Sequence, residues 1–136
     1  EFVKTVNGVS FINDSKGTNP DATIKAIEAM KAPTVLILGG YDKKSEFDDL
    51  FRAFTKDIKH IVILGETKEK IKAAAEKAGF QNYVLAQTFK DAVLKAYELA
   101  PKGGNVLLSP ACASWDMFQC FEQRGEEFKS IVNSLG

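Results

Sequence analysis

The sequence is short of most residues that announce chemistry. It holds one histidine and two cysteines in 136 residues. The lone His60 leads into an apolar run and has no second histidine and no nucleophile motif with it, so a structural place at a strand edge is expected rather than catalysis. Cys112 and Cys120 stand eight apart and form neither a CxxC pair nor a metal-ligand pattern, which points to two reduced thiols and no metal site. Charge of either sign is not in excess: Lys plus Arg is 18 and Asp plus Glu is 18. That balance argues against a nucleic-acid or polyanion binder, whose affinity rests on surplus positive charge. No apolar run approaches the roughly 20 residues of a membrane span, and no signal peptide is expected. The chain opens with Glu1-Phe2-Val3 rather than Met, and already reads as strand, so a piece excised from a longer protein is expected.

Hydrophobic residues make up 45%, ten of them Phe, enough for one domain with one proper core spanning residues 1–136. Strand and helix periods alternate along it. "VKTVNGVSFIN" reads as a hairpin turning at Asn7-Gly8 in a type I′ turn. Asn19 caps a helix that starts at Pro20 and turns Ile24, Ile27 and either Ala26 or Met30 inward. "TVLILGG", "HIVILG" and "NVLLS" are continuous apolar runs, the mark of strands buried on both faces. "NYVLA" is a shorter strand. Ser45 is expected to cap a helix carrying Phe47, Leu50, Phe51 and Phe54 at i, i+3, i+4, i+7. Thr67 to Ala78 forms the next helix, closed by Gly79. Thr88 caps another with Phe89, Ala92, Val93, Ala96 and Leu99 on one face. A last helical region carries Phe118 and Phe121, breaks at Gly125, and resumes through Phe128, Ile131, Val132 and Leu135. The order predicts an α/β fold: a Rossmann-like, mostly parallel sheet with helices on both faces and an N-terminal antiparallel hairpin.

In such sheets ligands sit beyond the carboxyl ends of the strands. Three polar loops follow strands here: "NDSKGTNP", "GGYDKKSEF" and "SPACASWDMF". Each leads into a helix N-terminus, whose free N–H groups suit an anion. Lys16 and Lys43 add cations; Thr18, Ser45, Ser109 and Ser114 add neutral donors. On residue types alone, a carboxylate or phosphate site and a set of plain helix caps are both open. Neither a GxxxxGK[ST] phosphate loop nor a GxGxxG after a strand occurs, so this chain does not activate ATP by a loop of its own.

Three segments, "INDSKGTNPDAT", "LGGYDKKSEF" and "LLSPACASWDMFQCFEQRGEEF", together resemble the C-terminal domain of the Mur ligases. The last is similar to the branch that adds D-glutamate, and the resemblance covers essentially the whole chain. It implies a three-domain, monomeric, cytoplasmic enzyme that adds D-glutamate to UDP-N-acetylmuramoyl-L-alanine in peptidoglycan synthesis through an acyl phosphate. ATP and Mg2+ would be held mainly by the central domain, and the isolated domain would be inactive. It further implies that Asp14 meets the ATP ribose and that Lys16 stands near the phosphates and the transferring group. Thr18, Lys43, Ser114 and Phe121 would contact D-glutamate, with Trp115 adding a backbone contact. Trp115 is bulkier than the family's Leu or Phe at that place, and an arginine the family carries at its interdomain hinge would fall just before Glu1. A stand-alone interaction or regulatory module is the alternative; it requires a broad exposed apolar patch, whereas the ligase reading requires the loops to converge, with the chain's start at the rim of their cleft.

Overall fold

A computed structural model describes residues 2–41, 46–112 and 118–135. Eleven elements follow one another within them: β1 (Phe2–Val6), β2 (Val9–Asn13), α1 (Pro20–Ala29), β3 (Thr34–Leu38), α2 (Asp48–Arg52), β4 (Ile58–Ile63), α3 (Lys68–Lys77), β5 (Tyr83–Leu85), α4 (Phe89–Leu99), β6 (Asn105–Leu108) and α5 (Phe121–Leu135). The six strands form one sheet in the order β1-β2-β6-β3-β4-β5. Only β1 runs antiparallel to its neighbour; the pairs β2–β6, β6–β3, β3–β4 and β4–β5 are parallel. The hairpin turns at Asn7 (φ 50°) and Gly8 (φ 82°), both left-handed as a type I′ turn requires.

The buried strands divide the core by their alternation. Val35 and Ile37 of β3 face α4 and α5, with Phe11, Val62, Val106, Leu108, Phe128 and Val132. Leu36 and Leu38 face α1, α2 and α3, with Ile27, Leu50, Ile61, Ile63 and Ile71. A central strand buried on both sides therefore shows no polar alternation, and all five residues of β3 are buried. Two expected caps hold: Asn19 Oδ1 accepts from the Ala22 N–H at 3.0 Å and Thr88 Oγ1 from the Asp91 N–H at 3.0 Å. Gly79 takes φ 80° just past the Ala78 C-cap of α3.

Three expectations need correction. The second helix is only Asp48–Arg52, with Phe47 in the N-cap position and Phe54 beyond the Ala53 C-cap; Ser45 lies outside the described residues. Its aromatic spacing reports burial in a loop-helix-loop rather than one long helix. His60 lies within β4, between β3 and β5, not at the margin of the sheet. Gly125 does not break the last helix: α5 runs unbroken from Phe121 to Leu135. A Cβ there would stand 3.0 Å from Asn13 Nδ2 and 3.4 Å from Ser15 Cβ, so glycine is needed for the close approach of α5 to the end of β2.

Candidate functional site

The chain leaves β2 and β3 toward α1 and α2 on one face, but leaves β6 toward α5 on the other. β6 sits between β2 and β3, so connections diverge on either side of it. That divergence opens a crevice at the carboxyl ends of these strands. Asp14, Gly39 and Ser109, which lead from these strands into the three polar loops, lie there.

Asp14 opens the first loop. Its N–H donates to Leu108 O at 2.7 Å, carrying the β2–β6 pairing one residue further. The Asp14 carboxylate is half-buried, and its Oδ2 accepts from Ser109 Oγ at 2.8 Å. Ser109 is fully buried and also lies 3.1 Å from Thr23 Oγ1, while the Thr23 hydroxyl donates to Ser109 O at 3.0 Å. Of the two acceptors open to Ser109's single hydroxyl proton, the Asp14 carboxylate is the nearer, so Ser109 donates to Asp14. Ser109, expected to donate to a ligand, instead orients Asp14. Gly17 makes room for this pair: a Cβ would come within 2.8 Å of Ser109 Oγ and 2.9 Å of Asp14 Oδ2.

Lys16 is exposed, and its amine meets no hydrogen-bond or ion-pair partner among the described residues. It stands between two hollows. One, of about 300 Å³, is lined by Asn13, Ser15, Phe121, Glu122 and Lys129 as well. The other, of about 540 Å³, is lined with Ile12, Asp14, Lys25, Met30 and Leu107. Lys16 thus shares one hollow with Phe121 and the other with Asp14. Thr18 is half-buried on the same loop and lines neither.

The other two loops are tied in by backbone bonds. Gly39 donates to Pro110 O at 2.9 Å, and Gly40 exchanges bonds with Thr67: its N–H reaches Thr67 Oγ1 at 3.1 Å and its carbonyl accepts from the Thr67 N–H at 3.1 Å. Ala111, at a left-handed φ of 64°, donates to Gly17 O at 2.9 Å and so joins the third loop to the first. Lys43, Ser114 and Trp115 lie outside the described residues. Among the described residues, no three His, Cys, Asp or Glu side chains gather as a metal site would need.

Residues 1–112 match the family model described as Mur ligase, glutamate ligase domain. The chain belongs to the Mur ligase family. Its curated relatives include UDP-N-acetylmuramoylalanine--D-glutamate ligases. That of Caldanaerobacter subterraneus subsp. tengcongensis is 54% identical over 137 residues, covering 99% of this chain and 30% of the relative. That of Clostridioides difficile is 48% identical over 135 residues, with the same coverage. The chain therefore spans about 30% of the length of these relatives. Among solved structures, a domain of a UDP-N-acetylmuramate:L-alanyl-gamma-D-glutamyl-meso-diaminopimelate ligase from Haemophilus ducreyi has a TM-score of 0.61 at 13% identity. The match covers 99% of this chain and 94% of that one. Mycobacterium tuberculosis folylpolyglutamate synthase complexed with ADP has a TM-score of 0.68 at 11% identity, over 94% of this chain and 31% of that one. At such identities the structures share the fold alone.

Phe2 pairs with Ile12, one residue from the end of β2, so it stands at the rim of the crevice. Cys112 is buried and Cys120 exposed, and they form no disulfide with each other. The large hydrophobic residues exposed among the described residues are Phe2 and Phe121, less than the broad patch an interaction module requires. Tyr83, on the far edge strand, is held above the ordinary phenol range because it donates to Glu76 Oε2 at 2.8 Å; it is remote from the three loops in the sheet order.

Sequence reasoning missed Arg124 and Ser15. Arg124 is 3% exposed, an unusual place for a guanidinium. Its Nε donates to Ser15 Oγ at 2.9 Å, its Nη2 to Ser15 O at 2.7 Å and its Nη1 to Cys112 O at 3.1 Å. A signal did exist: Arg124 falls four residues before Phe128 and seven before Ile131, on the stripe of α5 that turns inward.

Proposed function

We propose that this chain is the C-terminal, D-glutamate-binding domain of the ATP-dependent ligase that joins D-glutamate to UDP-N-acetylmuramoyl-L-alanine in peptidoglycan synthesis. The observation that carries the reading is Lys16 standing between a hollow lined by Phe121 and one lined by Asp14, in a chain about half identical to named D-glutamate ligases across its length. With that role go a cytoplasmic location, a monomer, and two further domains in the same polypeptide. Among the described residues, no helix is long and apolar enough to cross a membrane.

The residues present fit a nucleotide. Asp14 keeps Oδ1 without a donor among the described residues while Ser109 holds Oδ2, so a sugar hydroxyl has an oriented carboxylate to donate to. Lys16 supplies a mobile cation beside it, suited to charge that builds on phosphate oxygens. ATP, when bound, supplies the phosphoryl group that activates the substrate carboxylate. Mg2+ would take its ligands from the nucleotide phosphates and the rest of the enzyme. Thr18, Lys43, Ser114 and Phe121, with the Trp115 backbone, would hold D-glutamate. Fixing both its carboxylates leaves its neutral amine in line with the acyl carbon, which converts a bimolecular attack into a positioned one.

The test uses the full-length enzyme with UDP-N-acetylmuramoyl-L-alanine and ATP, varying the amino acid. Phosphate release should require D-glutamate and stay at background with L-lysine, meso-diaminopimelate or L-glutamate. Equal release with any of these would overturn the assignment.

A further inference from the structure

We infer that Ser15 and Arg124 are positioning residues: they clamp the loop bearing Asp14 and Lys16 to the start of α5, and so fix the nucleotide side of the crevice against its amino-acid side. The inference rests on the function proposed above. Ser15 lies between the two ligand-facing residues and is 4% exposed. Each of its polar groups is occupied. Its N–H donates to Asn13 Oδ1 at 3.0 Å, and its carbonyl accepts from Arg124 Nη2 at 2.7 Å. Its hydroxyl accepts from Arg124 Nε at 2.9 Å and donates to Phe121 O at 2.7 Å. Asp14 and Lys16 flank Ser15, each one peptide unit away, roughly 3.8 Å between Cα atoms, so fixing Ser15 fixes the roots of both side chains. The same guanidinium reaches Cys112 O, at the start of the third loop.

These bonds go to ligand-bearing loops rather than to the two apolar cores. One planar fork spans two partners that belong to separate strand ends, which a lysine's point-like ammonium does not reproduce. A buried arginine kept only for stability would behave otherwise. Its loss would lower the fraction of folded enzyme, reducing kcat for every substrate and leaving every KM in place.

The experiment compares full-length wild type with Ser15→Ala and Arg124→Lys. Amide exchange at residues 14–18 and 119–123 should quicken by about tenfold or more in both variants while β3 and β4 stay protected. In steady state, KM for ATP and for D-glutamate should each rise by about tenfold, with KM for the UDP-sugar substrate within about twofold of wild type. Unchanged exchange at those two segments, or three unchanged KM values beside a lowered kcat, would overturn the clamp. Should Arg124→Lys yield no soluble enzyme, Ser15→Ala decides by the same readouts. Wild type that ignores D-glutamate would refute the proposed function, and the exchange measurement would still judge the clamp.

Discussion

Lys16 and Lys43 carry the same charge, yet the proposed roles give them different partners, and substitution should separate them. On its proposed role, Lys43→Ala in the full-length enzyme would remove a charge-assisted bond to a ligand carboxylate. The expected loss is about 2–4 kcal/mol, or roughly thirty- to a thousand-fold in kcat/KM for D-glutamate, with ATP use little changed. Lys16→Ala should lower kcat instead, because its partner is charge that grows toward the transition state. Kinetics with one substrate varied at a time distinguish the two, and a Lys43→Ala enzyme with wild-type D-glutamate parameters would refute the loop's assignment. Gly39 is constrained more absolutely. Its φ is 122°, and a Cβ would sit 1.8 Å from Leu64 O. Neither backbone can yield: the Gly39 N–H holds Pro110 O, and the Leu64 N–H holds Leu38 O at 3.0 Å. Gly39→Ala should cost about 4 kcal/mol or more, read as a lower midpoint of urea unfolding at unchanged slope. A cost under about 1 kcal/mol would mean that the strand ends are looser than described.

At the scale of the element, α5 joins packing to the site. Its Gly125 lets the helix lie against Asn13 and Ser15, directly behind the first loop. Gly125→Leu should therefore destabilise by about 1–3 kcal/mol through overpacking, despite leucine's better helix propensity. Thermal unfolding of the variant checks this; a stabilised protein would show the contact to be slack. The same helix marks the limit of what the sequence made legible. The strands were readable because continuous apolarity has few other causes, and the caps because Asn19-Pro20 and Thr88 act through bonds within three residues. Gly125 was misread because a helix breaker and a close-contact glycine look alike until the partner is known. Ser109 was misjudged and Arg124 missed for a related reason: their partners, Asp14 and Ser15, are 95 and 109 residues away in the chain. The aromatic row around α2 reported burial correctly but not hydrogen bonding. Phe54 lies past the helix end, with its ring centroid 4.7 Å from that of Phe51 and 5.1 Å from that of Phe80.

For the whole molecule, two apolar clusters cover both faces of one sheet, so the 136-residue chain should fold cooperatively by itself. It should nonetheless release no phosphate from ATP above background with both other substrates supplied, since it carries no phosphate loop. Turnover by the isolated chain would contradict this. The placement of β1 sets how such a domain would swing. Whatever polypeptide precedes Phe2 joins at the sheet's edge, on the same side as the crevice. Neighbouring strands are about 4.8 Å apart, so the ends of β2, β6 and β3 stand roughly 5, 10 and 14 Å from that pivot. For any given angle of swing, Gly39 at the end of β3 travels nearly three times the arc of Asp14 at the end of β2. If the proposed roles hold, the near loop would stay on its ligand through small rotations, while the far loop would reach its own only near the end of the stroke.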